Sequence, residues 1–153
     1  MEQTYQTVLV GVDGSSQAQE AFEKAIEVAR RNNGRVIVAK VIEQQVPSTM
    51  GFAPLGETVL AQEETDANEL IQECKDYAES VSFEDIEGVV VYGSTKMVLT
   101  RELPEKYGVD LIMVGQSGLN AVERFITGSV ASYVIREAPC DVLVITPSDD
   151  SET

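Results

Sequence analysis

The chain has 153 residues, 43% hydrophobic and 24% charged, which is the size and balance of one ordinary globular domain. Its formal net charge of −15 works against nucleic-acid backbones and anionic membranes as partners, and no apolar run approaches the roughly 20 residues of a membrane helix. There is no histidine, which removes Ser-His-Asp, Cys-His and His-zinc chemistry, and Cys74 and Cys140 lack the spacing of a zinc or redox pair, so both read as buried, inert thiols.

Residues 1–6 carry no basic residue and precede no long apolar segment, unlike a signal peptide, so a cytoplasmic protein is expected. Thr7–Val12 is a short apolar strand stopped by Asp13-Gly14. Ser15-Ser16 then offers an N-cap to a helix with Ala18, Phe22, Ala25 and Ala29 on one face, and Gly34 is placed to end it. Arg35–Ile42 reads as the second strand, and residues 44–56, with their prolines and glycines, as a loop that either folds over a ligand or stays mobile.

A long amphipathic helix follows, with Ala67, Leu70, Ile71, Cys74, Tyr77, Ala78 and Val81 recurring at steps of three and four. Eleven carboxylates and the single Lys75 lie between Glu57 and Glu87, a solvated acidic face. Gly88–Tyr92 is strand three, and Thr95–Tyr107 a shorter helix that contains Pro104 and stops at Gly108. Asp110–Val114 is strand four, Ser129–Glu137 the last helix and Val142–Ile145 strand five. Residues 1–148 are expected to form one domain, with 149–153 as an acidic tail.

Nearly continuous apolar strands separated by helices predict a doubly wound α/β fold, its parallel sheet buried on both faces. Ligands of such sheets bind beyond the carboxyl ends of the strands, where the strand order reverses. Two unusual loops meet on that rim: Asp13-Gly14, and the stretch from Gly115 through Ser117 and Gly118 to Gly128-Ser129. Gly115 and Gly118 remove Cβ atoms where a phosphate chain could approach, and the helix opened by Gly128, Ser129 and Val130 offers amides to an anion. There is no lysine of the GxxxxGK[ST] kind, and Arg124 is the local cation. Simpler roles exist for the same residues: Asp13 closes an Asx turn, Val41 is core, Arg124 is surface, and Ser129 caps its helix.

The spacing Gly115-x2-Gly118-x9-Gly128-Ser129 stands between Asp110-Leu-Ile-Met-Val114 and a segment that runs from Val130 to Ile145. With the opening Val8-Leu-Val-Gly-Val-Asp-Gly-Ser15 and Lys40-Val-Ile-Glu43, it closely resembles the universal stress protein family over about residues 5–146. The resemblance implies an open five-stranded parallel sheet in order 3-2-1-4-5, and a homodimer joined through strand five, Val142, Leu143, Val144 and Ile145. It implies ATP at the rim, with Asp13 on ribose or adenine, Val12 and Val41 around adenine, and Gly115, Gly118, Gly128, Ser129 and Val130 on the phosphates. Many members carry proline where Gly11 stands and histidine where Ser117 stands; Ser117 retains one hydroxyl donor for a phosphate.

Three functions follow as expectations. The first is a nucleotide-responsive regulatory dimer that takes ATP with Mg2+ as counter-ion, since a −15 protein repels the bare nucleotide. The second is a slow ATPase, for which the positioned cations of phosphoryl transfer are scarce. The third is a dimeric scaffold without nucleotide.

Overall fold

Strand β1 (Thr7–Gly11) is buried from Thr7 to Val10, as it must be if both faces of its sheet are covered. Successive side chains on a strand point to opposite faces, so burial on both sides demands the unbroken apolar run that its sequence shows. The structure, a computed structural model, describes residues 4–48, 51–117 and 128–146. The chain continues through α1 (Ser16–Asn32), β2 (Arg35–Ile42), β3 (Gln45–Ser48), β4 (Gly51–Pro54), α2 (Glu57–Ser80) and β5 (Ile86–Tyr92). A composite helix comes next: α3 (Thr95–Met97), a π turn (Val98–Glu102) and α4 (Leu103–Tyr107). β6 (Leu111–Gly115), α5 (Ser129–Glu137) and β7 (Asp141–Ile145) complete it.

Five strands form one wholly parallel sheet in the order β5-β2-β1-β6-β7. Numbered among themselves in chain order, they stand 3-2-1-4-5, as the family resemblance implies. Val10 pairs with Val38 on one side and Met113 on the other, which fixes the centre of the sheet. On one face Val8, Val10, Val36 and Val38 pack against Phe22 and Ile26 of α1 and Ile71 and Cys74 of α2. On the other, Leu9, Ile37 and Ile112 pack against Leu99, Leu103 and Val134 from the composite helix and α5. Burying a side chain of the size of Phe22 or Ile37 contributes about 1.5–3 kcal/mol each.

Several boundaries differ from the sequence expectation. Residues 45–48 and 51–54 are not loop but an antiparallel hairpin, with Gln45 opposite Pro54. Helix α1 ends on Asn33, in the left-handed region at φ 54°, and not on Gly34. Gly34 serves close approach instead, because a Cβ there would stand 2.5 Å from the Tyr5 carbonyl oxygen. Asp110 precedes β6, and its carboxylate accepts the amides of Gln6 and Thr7 at 3.0 and 3.1 Å, which ties the starts of β6 and β1 together. Pro104 is accommodated because the helix widens ahead of it. The Leu103 amide reaches back to Val98, a π bond, and the proline then sits in the first turn of α4, where no N–H is required.

Candidate functional site

The strand order reverses between β1 and β6: β1 leads through α1 to β2 on one side, while β6 and β7 lie on the other. Above that reversal, beyond the carboxyl ends of the strands, lies a cavity of about 390 Å3, within the range of small-molecule sites. β1 and its exit supply Gly11, Val12, Asp13 and Ser15, and β2 supplies Ala39, Lys40 and Val41. Thr95 and Leu99 come from the composite helix, Val114, Gly115 and Ser117 from the end of β6, and Gly128, Ser129, Val130 and Ala131 from the start of α5.

The β1 exit is held tightly. The Val12 amide donates to the Ala39 carbonyl at 2.9 Å, and Asp13 closes an Asx turn by accepting the Ser15 amide at 2.9 Å. Ser15 then caps α1, its Oγ accepting the Ala18 amide at 3.1 Å. Leu99 packs across the sheet so close to Gly11 that a Cβ there would meet its methyl carbons at 3.0 and 3.3 Å. A side chain at Gly11 would therefore require the Leu99 methyls to give way by a few tenths of an ångström.

Across the cavity the two helix starts are drawn together. Ser117 is buried, and its amide and hydroxyl both donate to Gln17 Oε1 of α1, at 3.0 and 3.3 Å. The Gly128 amide donates to the Gln116 carbonyl at 2.8 Å. Gly128, not Ser129, is the N-cap of α5, and no side chain caps that helix. The first-turn amides of Ser129, Val130 and Ala131 therefore have no acceptor among the described residues, and the helix dipole places partial positive charge there.

Of the residues singled out in the sequence, Val12, Asp13, Val41, Gly115, Ser117, Gly128, Ser129 and Val130 all meet at this one cavity. Gly118 and Arg124 lie outside the described residues. Gly115 and Gly128 also admit protein neighbours: a Cβ on Gly115 would meet Gln17 and Ala18 of α1, and one on Gly128 would meet Ser117 Cα at 3.2 Å. They let protein segments close on each other, and so shape the cavity wall. Gly11, Ser15, Ala18, Ala39, Lys40, Thr95, Leu99, Val114 and Ala131 line the cavity as well and are not among the site residues singled out in the sequence. Thr95 was open to discovery, since it begins a helix directly after a strand on the same rim. Among the described residues no group of three His, Cys, Asp or Glu could hold a metal ion, and no helix is long and apolar enough to cross a membrane.

The sequence profile of the universal stress protein family matches residues 4–146. A universal stress protein of Staphylococcus haemolyticus strain JCSC1435 is 37% identical over 149 residues, covering 97% of this chain and 89% of its own. One from Staphylococcus aureus strain USA300 is 39% identical over 142 residues, covering 93% and 84%. Among solved structures, universal stress protein UspA from Lactobacillus plantarum superposes with a TM-score of 0.80 at 26% identity, over 94% of this chain and 99% of that one. A universal stress protein crystallised in complex with cAMP gives 0.71 at 28% identity, over 94% and 98%.

Proposed function

Since the chain belongs to the universal stress protein family, we propose that it is a cytoplasmic, nucleotide-responsive regulatory dimer that binds ATP with Mg2+ in the rim cavity. The observation that carries this reading is the pairing, in one cavity, of an apolar floor (Ala39, Val41, Leu99) with the uncapped amides of α5. A flat apolar base fits the first, and phosphates fit the second. In this reading Asp13 contacts the ribose or adenine, Gly115, Gly128, Ser129 and Val130 form the phosphate end together with Ser117, whose amide and hydroxyl must first leave Gln17 to serve a phosphate, and Gly118 and Arg124 are assigned to it by sequence. A solved relative holds cAMP, which shares the adenine and one phosphate with ATP.

Mg2+ arrives on the phosphates in this reading, because it neutralises a polyanion that a −15 protein otherwise repels. Bound ATP supplies a charged, ordered group at the α5 start, which alters the surface offered to a partner. Dedicated hydrolysis is not favoured, since neither a histidine nor a P-loop lysine is present. Strand β7 lies at the sheet edge and pairs with its twin in the dimer.

The test is to denature freshly purified protein, identify released nucleotide by mass spectrometry, and titrate stripped protein with MgATP, ATP in EDTA, and cAMP. Recovery of ATP, with MgATP binding tightest, is the expected result. No nucleotide recovered and no heat with any of the three would overturn the reading.

A further inference from the structure

At the edge of the cavity the Thr95 hydroxyl donates to Glu43 Oε2 at 2.8 Å. Thr95 lines the cavity, while Glu43 follows the end of β2 and is exposed. A threonine hydroxyl has one hydrogen and two lone pairs, and an ionised carboxylate only accepts. With its hydrogen committed to Glu43, Thr95 can offer a ligand lone pairs and nothing else.

The composite helix says which part of a nucleotide lies beside it. Thr95 stands four residues before Leu99 on that helix, and both line the cavity with Ala39 and Val41, while the helix also packs on α5, where Tyr133 donates to Met97 Sδ at 3.4 Å. A nucleotide with its phosphates on the α5 amides and its base on the apolar floor of Ala39, Val41 and Leu99 has that base within the same cavity as Thr95. We propose that Glu43 fixes Thr95 as a hydrogen-bond acceptor that selects 6-amino purines over 6-oxo purines. Adenine presents an amino donor there; hypoxanthine and guanine present a carbonyl, and two acceptors face each other unpaired. Thr95 is the specificity-determining residue and Glu43 its positioning partner. The inference rests on the proposed nucleotide site.

Leaving such a group unpaired costs the discrimination of about one hydrogen bond, so roughly a tenfold preference for ATP over ITP is expected. The experiment measures Kd for MgATP and MgITP on wild type, Thr95→Val, Thr95→Ser, Glu43→Gln and Glu43→Asp. The preference should fall to about one in Thr95→Val and be kept in Thr95→Ser and Glu43→Asp, which preserve the hydroxyl and the carboxylate. In Glu43→Gln it should shrink or invert, because the amide can donate to Thr95 and free its hydroxyl to donate to a carbonyl. An ATP:ITP ratio that stays at the wild-type value in both Thr95→Val and Glu43→Gln, with binding intact, overturns this inference and leaves the nucleotide site standing. Binding of neither nucleotide by the wild type overturns both.

Discussion

The Gly128 amide donates to the Gln116 carbonyl at 2.8 Å, so the first turn of α5 is tied directly to the end of β6. The absent Gly128 side chain is what lets the two segments meet, since a Cβ would press on Ser117 Cα at 3.2 Å. The consequences for binding, stability and assembly can each be measured.

Gly128→Ala keeps an ordinary backbone conformation, φ being −66°, and therefore isolates the contact with Ser117. Overpacking costs about 1–3 kcal/mol, and pushing the α5 start away from Ser117 should also weaken MgATP by about tenfold. Thermal melts with and without MgATP report both effects. A lowered melting temperature with an unchanged Kd would show that the added methyl strains the joint without displacing the α5 amides.

Gly88 on β5 faces Ile71 of α2 so closely that an added Cβ would collide with Ile71 Cγ2 and sit 3.0 Å from Lys75 Cε. Gly88→Ala should lose about 1–3 kcal/mol in urea unfolding. Ile71→Ala opens a cavity at a buried site and should lose about 2–5 kcal/mol. The double variant should be more stable than the sum of the two losses by about 1 kcal/mol, because each change relieves the other. Strict additivity would mean that α2 simply shifts.

Burial pushes the Cys74 thiol up to about 12, aided by Glu73, and the Cys140 thiol up to about 11, aided by Asp110 and Asp141. Tyr107 is also raised, first by burial and then by its hydrogen bond to Glu87. For such groups the folded pKa lies above the unfolded one, so their contribution is complete below about pH 8.5 and is lost as pH climbs toward the folded values. The urea midpoint should be level near pH 8 and fall from about pH 9 upward. At pH 8 a thiol reagent should modify native Cys140 slowly and Cys74 more slowly still, with both reacting at once in denaturant. A midpoint that holds steady to pH 11 would contradict the assignment.

Leu143 on β7, the last strand of the sheet, is 42% exposed, and Ile135 of the neighbouring α5 is 54% exposed. Such an apolar edge fits pairing between two copies, and a lysine on an edge strand opposes it. Wild-type protein should sediment as a dimer at micromolar concentration, and Leu143→Lys as a monomer with unchanged helical content. A monomeric wild type would reject β7 as the interface.

Much of this architecture is readable in one dimension. β2 and α5 fall on their expected bounds, the first because an apolar run begins straight after a turn, the second because Gly128 marks a helix start. The hairpin of β3 and β4 was hidden because Pro47 and Pro54, and Gly51, carry the residue signature of a loop, although a two-stranded hairpin outside the main sheet tolerates them. At the site, residues on the rim loops were legible because spacing marks them. Leu99 was not, since its place depends on how the helix after β5 folds back over β1. Gly115 and Gly128 accommodate α1 and Ser117, a reason for glycine that no pattern of spacing can distinguish from accommodating a ligand.

The carboxylate of Asp110 grips Gln6 and Thr7, and β6 slots beside β1, the first strand of the chain. During synthesis β1 and β2 can pair early, but one flank of β1 stays bare until more than a hundred further residues have left the ribosome. The cavity, whose lining residues run along the chain from Gly11 to Ala131, is complete only once α5 has followed β6. A ligand of this cavity, as the proposed function assigns it, would therefore stabilise only a chain synthesised through α5.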